Sequence, residues 1–186
     1  MIASRWTGDE QPIIMSRSDF RHRTRFDFRT VSTSKAKMLT KTSKSWIRTG
    51  AVLAGIAVIT GAFAAHGLHD YLLDLYGDKT KSIMGEEIPA AHKYLADFKT
   101  AAEYQMYHAL GIIAVGLLPG SLSSRSRDVA GWSFLLGIVL FSGSLYALVL
   151  TGITKLGMIT PLGGTLFIIG WAALAMSVNT GSEDAT

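Results

Sequence analysis

Glu103, Tyr104, Gln105, Tyr107 and His108 bring a carboxylate, an amide, two phenols and an imidazole into one short stretch of this sequence. An imidazole and a carboxylate can exchange a proton near neutral pH, and the phenols and the amide supply donors and acceptors around them. At 100° per residue, Glu103, Tyr104, Tyr107, His108, Gly111 and Ala114 share an arc of about 140°, with Gln105 about 60° outside it. His66 closes an earlier apolar run, Gly61-Ala62-Phe63-Ala64-Ala65-His66-Gly67-Leu68. A Glu103–His66 contact is geometrically possible, and Tyr104 and His108 stand one helical turn apart. In a low dielectric a lone histidine favours its neutral form and a nearby carboxylate opposes that shift, so such a pair could relay protons. Histidines and tyrosines inside a helical bundle more often serve as hydrogen-bond glue, and that is the leading expectation. His66 and His69 lie three apart without a third ligand at diagnostic spacing, so neither a metal nor a cofactor is expected. His22 and His92 sit in polar segments and read as solvated.

The elements that must position these groups are apolar. Of the 186 residues 48% are hydrophobic, 17% are charged and none is cysteine. A typical soluble protein carries roughly 25% charged residues. Here the polar residues are bunched, which argues against a soluble enzyme, a nucleic-acid-binding domain and a disulfide-stapled module. The lack of cysteine excludes thiol catalysis. Four segments approach the roughly 20 apolar residues that a membrane-crossing helix needs: about 47–66, 98–118, 129–150 and 159–178. The third and fourth contain no Asp, Glu, Lys, Arg or His. Lipid satisfies no backbone polar group, so spans of this length are helices. The expected fold is all-α: a polytopic membrane domain over 46–178, four transmembrane helices in an antiparallel bundle. Its partner is the lipid bilayer.

Charge sets the expected topology. Residues 1–48 hold 11 of the 18 Lys and Arg and 4 of the 14 acids, a net +7 that leaves −3 for the remainder. The positive-inside rule then places both termini in the cytoplasm. Trp46 and Trp132 fall where interfacial aromatics usually lie. The first apolar run also reads as a signal peptide, but it is too long and the downstream chain is itself apolar. Residues 1–45 are expected to be a disordered basic arm, either lying on anionic headgroups or preceding a true start at Met38. Its four acids disfavour a targeting peptide. The outer loop 67–97 holds six acids and two candidate interfacial helices, Leu68–Tyr76 and Ala90–Phe98, with breaks at Gly77 and around Gly85–Pro89. Thr160-Pro161 reads as an N-cap followed by proline at the first helical position. A short cytoplasmic tail, 179–186, ends the chain.

Small residues allow helices to approach closely in lipid. Ala57, Gly61 and Ala65 repeat every four positions, and Gly131, Gly137 and Gly143 recur on the third segment. Ser142 and Ser144 can hydrogen-bond across an interface, and Gly163 and Gly170 share a face of the fourth.

Four ordered stretches also resemble a known family. The run from Gly61 to Leu68, Thr100-Ala101-x-x-Tyr104-Gln105-x-x-His108-Ala109-Leu110, Ser142-Gly143-Ser144-Leu145-Tyr146 and Ile159-Thr160-Pro161-Leu162-Gly163-Gly164 are similar to the signatures of the small membrane family called domain of unknown function 423. That family includes the eukaryotic transmembrane protein 256. The resemblance covers about residues 46–178 and implies a four-helix membrane protein, mostly bacterial and so expected in a bacterial inner membrane rather than a mitochondrial one, without an established activity. By motif it singles out His66, Tyr104, Gln105, His108, Ser142, Tyr146, Thr160 and Pro161, and says nothing of Glu103. The long arm and long first loop depart from its pattern. The function expected is structural or accessory and non-enzymatic, with a homo-oligomer or other membrane proteins as partners and no nucleic acid. The alternative is proton-coupled or small-molecule transport through an oligomer, using the polar face of the second helix.

Overall fold

The first long helix, α1 (Lys41–His66), owes its position to alternating steps of three and four residues. Ser43, Trp46, Gly50, Leu53, Ala57, Thr60 and Ala64 all turn inward along one stripe, half-buried or buried. Such a 3.5-residue period marks a seam that supercoils against a partner. The computed structural model describes residues 41–119 and 124–179. Most of the expected basic arm and all but the first residue of the expected tail therefore lie outside the described residues. The arm's last five positions, 41–45, are already helix. Ser43 is buried against the far helix, and a Cβ at Gly116 would lie 2.8 Å from its carbonyl oxygen. Tertiary packing thus extends the helix past where composition alone stops it.

After Gly67 the chain forms α2 (Leu68–Tyr76), which buries Leu68, Leu72 and Tyr76. A hairpin comes next, β1 (Thr80–Ile83) and β2 (Glu86–Pro89), antiparallel with Ile83 opposite Glu86. Its two-residue turn, Met84-Gly85, has φ of 53° and 89°. Two left-handed residues match the twist of the flanking strands. This hairpin corrects the all-α expectation, which read the Gly85–Pro89 stretch only as a break.

Pro89 then precedes α3 (Ala90–Leu117), one continuous helix of 28 residues. The expected division near Phe98 does not occur, because no breaker lies between Ala90 and Tyr107. Leu118 is extended ahead of Pro119, which ends the helix. On α3 the inward stripe is Tyr94, Phe98, Ala101, Gln105, His108, Ile112 and Val115, again in steps of four and three. The two stripes meet antiparallel in the most extensive helix–helix contact of the described residues.

The next helical stretch consists of α4 (Ser124–Ile138), a π-helical turn at Val139–Gly143 and α5 (Ser144–Thr151). Gly152, left-handed at φ 73°, caps it through Leu148 O. A 3-10 turn at Thr154–Met158 leads into α6 (Thr160–Asn179). Here α4 and α6 form the second closely packed pair. The three stretches Lys41–His66, Arg125–Thr151 and Thr154–Ser177 are long and apolar enough to cross a membrane. Although α3 is longer than any of them, it carries Lys93, Asp97, Lys99 and Glu103 in its first half.

Two apolar clusters form the interior. One gathers Leu68, Leu72, Tyr76, Tyr94, Phe98 and Val149 at the hairpin end. The other gathers Trp46, Ile112, Val115, Phe134, Ile138 and Phe167 toward the opposite end. The outward faces are apolar as well: Val52, Val58, Ile59, Leu162, Ile168 and Met176 are all exposed. A soluble monomer rarely leaves so much contiguous apolar surface uncovered.

Candidate functional site

Gln105 lies on the inward stripe of α3, at the level where one apolar cluster gives way to the other, and is 3% exposed. An amide this deep must find partners, because an unsatisfied polar group in an apolar interior costs about 1–3 kcal/mol. Its Nε2 donates to Leu53 O on α1 at 2.8 Å. A carbonyl can only accept, so this bond fixes the amide's orientation and turns Oε1 toward Tyr146. The Tyr146 hydroxyl donates to Oε1 at 3.1 Å. It also lies 3.0 Å from Thr60 Oγ1. A phenol has one proton, already given to Gln105, so Thr60 donates to Tyr146. The alternative acceptor for the Thr60 proton is Ala57 O, one turn back at 3.1 Å. The result is a directed chain, Thr60 to Tyr146 to Gln105 to Leu53 O, which ties α1, α3 and α5 together. Phe98 covers the Tyr146 ring at 4.6 Å between centroids.

One turn further along α3, His108 is 5% exposed. Its Nδ1 lies 2.7 Å from Tyr104 O, and a carbonyl only accepts, so Nδ1 carries a proton and donates. The imidazole stacks flat on Phe167, 3.4 Å away and 5° from parallel. Phe134 and Trp171 stand at 5.6 and 6.0 Å. The imidazole is thus stacked on one aromatic ring of α6 and packed among others of α4 and α6.

The structure rotates the expected polar face. Buried Gln105, placed outside the arc by the sequence reading, is the member that joins helices, whereas Glu103 and Tyr107 are exposed. The seam has a 3.5-residue period, and Glu103 falls off it. Tyr104 is exposed as well, stacks on Phe141 at 4.8 Å and meets His108 through its carbonyl. His66 is exposed, and among the described residues no hydrogen bond or ion pair joins it to Glu103. His92 is exposed too, yet its ring stacks on His69 at 5.8 Å, linking α2 to the start of α3. Tyr76 hydrogen-bonds Val149 O at 3.1 Å. Burial, with Tyr94 and Tyr71 beside it, pushes the Tyr76 phenol above the ordinary tyrosine range and keeps it a neutral donor. The sequence reading missed Thr60, Phe134, Phe167 and Trp171. For Thr60 a signal was present: it continues the spacing of Leu53, Ala57 and Ala64.

Comparison with known proteins places this geometry in a family. The signature of a family described as protein of unknown function (DUF423) matches residues 60–164. A UPF0382 membrane protein of Staphylococcus epidermidis strain ATCC 12228 is 46% identical over 134 residues, 72% of this chain and 94% of the relative. The chain belongs to the DUF423 family. Another UPF0382 membrane protein, SH2409 of Staphylococcus haemolyticus, is 44% identical over 134 residues, with the same coverage of both chains. UPF0382 membrane protein YwdK of Bacillus subtilis strain 168 is 44% identical over 135 residues, 72% of this chain and 95% of the relative. No solved structure matches.

In this DUF423 protein the matched region begins at Thr60 and ends at Gly164, so it includes the three side chains of the hydrogen-bonded chain. The motif glycines divide into two kinds. Gly163 lies against the π-helical turn, where a Cβ would come within 2.5 Å of Phe141 N, and a Cβ at Gly137 would meet the Phe167 ring. Around Gly61 and Gly143 there is open space or ordinary clearance, and Ala65 and Gly67 are exposed. The four-residue repeat Ala57, Gly61, Ala65 fails because it turns about 40° per step and drifts off the interface. Ser144 and Thr160 face each other across α5 and α6, Oγ to Oγ1 at 2.9 Å, with Ser144 also donating to Phe141 O. Pro161 is exposed in the first turn of α6. Ser142 is fully buried in the π-helical turn, and its hydroxyl reaches no partner among the described residues instead of bonding across the interface.

Proposed function

We propose that this protein is a four-span integral membrane protein with a structural or accessory, non-enzymatic role, assembling with itself or with other membrane proteins. The observation that supports it is how five polar side chains at the helix contacts are used: Gln105 and Ser144 are buried, and Tyr146, Thr60 and Thr160 half-buried. Gln105, Tyr146, Thr60, Ser144 and Thr160 are engaged with neighbouring helices or nearby backbone. Interhelical bonds of this kind contribute about 0.6 kcal/mol each, up to about 1.7, and they fix register. Of these residues only Thr160 borders a cleft, the one at the hairpin end, and none borders the cleft beside Trp46 and Trp132.

The fourth span is the part of α3 from about residue 98 onward, with Lys99 and Glu103 near its hairpin end. From Tyr104 to Leu117 it has no Asp, Glu, Lys or Arg, and the charged first half of α3 stands at the hairpin end with the polar loop. The basic segment before α1 then lies in the cytoplasm with both termini, and the hairpin lies outside the bacterial inner membrane. Crosslinking in native membranes followed by purification in detergent tests the role. Crosslinked species containing this chain are expected, and a monomer without neighbours contradicts it. The transport alternative rests on one observation, the buried imidazole of His108. It predicts proton or solute flux in liposomes that His108→Ala abolishes, whereas the structural role predicts no flux from either protein.

A further inference from the structure

The hairpin end of the bundle contains a cleft of about 480 Å³ to which Gln105, Tyr146 and Thr60 do not contribute. Its walls differ in chemistry. One side is the outer part of the third helical stretch, with Phe141, Leu145 and Leu148. The other carries the ammonium groups of Lys81, on the hairpin, and Lys93, on α3. Lys93 is ion-paired with Asp97, one turn along its own helix. Lys81 has no carboxylate partner among the described residues, and its Nζ lies 4.8 Å from the centre of the Tyr94 ring. Two cations and one carboxylate leave the cleft with one uncompensated positive charge above an apolar wall. Thr154 and Thr160 add hydroxyls at the same rim. The volume is that of a small-molecule site.

We infer that this cleft binds an anionic amphiphile, a phosphate-bearing head at Lys81 with its hydrocarbon against Leu145 and Leu148. A neutral or cationic head leaves the Lys81 charge unanswered. A head without a chain leaves the apolar wall wet. Both walls are satisfied together by a lipid anion entering from the bilayer edge, where a basic pocket between spans attracts phosphate headgroups. The inference rests on the membrane-spanning reading, because the ligand's chain must come from the surrounding lipid.

The test is native mass spectrometry of the purified full-length chain in detergent, titrated separately with phosphatidylglycerol, phosphatidylcholine and inorganic phosphate. One phosphatidylglycerol is expected to bind in preference to phosphatidylcholine. Lys81→Gln is expected to weaken it about fivefold, while Lys99→Gln, the same charge loss at an exposed position outside the cleft, leaves it unchanged. Displacement of the lipid by inorganic phosphate overturns the amphiphile in favour of a soluble anion; retention supports the lipid. Equal binding of the two lipids, or equal effects of the two substitutions, overturns the inference. The lipid comparison uses the unaltered protein and so holds even if a variant fails to fold. Carbonate extraction separates the two readings: a chain that stays in the membrane yet shows no anion preference refutes only the cleft, while a chain released to the supernatant refutes the membrane reading itself.

Discussion

Gln105 illustrates what polarity hides. The sequence arc put Glu103 and Tyr107 inside because ionisable groups avoid lipid, yet the helix turns them outward and buries an amide. An amide carries no charge, so its burial needs only hydrogen-bond partners, and Leu53 O and Tyr146 supply them. Gln105→Met keeps the shape but leaves the Tyr146 phenol without its acceptor, and it should destabilise the protein by about 1–2 kcal/mol. Adding Tyr146→Phe should recover part of that loss, because the stranded hydroxyl disappears with it. Reversible unfolding in mixed micelles measures both, and strictly additive losses would show that the two side chains are not coupled. His66 and His108 were both conspicuous in the sequence. Only His108 is buried, because only His108 falls on the packing seam of its helix.

Helices were the most legible elements. The first helix ends at His66, the short α2 runs from Leu68 to Tyr76 and the last helix begins at Thr160, each within a residue or two of where apolar runs and breakers put them. Three features depended on contacts that composition does not reveal. Ser43 packing against Gly116 extends α1, the Met84-Gly85 turn closes a hairpin, and Phe141 meeting Gly163 accompanies a π-helical turn in the third helical stretch. Glycine content marked packing in general but not which glycines pack, since that depends on the seam. At Gly50 a Cβ would lie 2.7 Å from Ala109 O and from the Ile113 side chain, whereas at Gly61 it would meet nothing within 4 Å. Gly50→Ala should therefore separate α1 from α3 and cost about 1–3 kcal/mol. Gly61→Ala should be neutral or stabilising by up to about 1 kcal/mol, because alanine loses less backbone freedom in a helix. Thermal melting of the two variants side by side checks the contrast, and equal losses would contradict the seam.

At the scale of the whole molecule, the described interior and exterior are both largely apolar: inside, the polar groups around Gln105 are hydrogen-bonded between helices, and the charged side chains gather toward the ends. Trp46 and Trp132 meet edge to face at one end, 5.6 Å apart. Lys81, Lys93 and Asp97 gather at the other. A bilayer between those ends covers Val58, Ile59 and Ile168 and leaves both polar ends in water. The chain lacks cysteine, so single cysteines report position without background. Ser45→Cys and Ser82→Cys, both at exposed positions, mark the start of α1 and the hairpin beyond its end. With a membrane-impermeant maleimide on intact cells, Ser82→Cys should label at once and Ser45→Cys only after permeabilisation. Labelling of both from the same side would mean that α1 does not cross the membrane, and the membrane-spanning reading would fail with it.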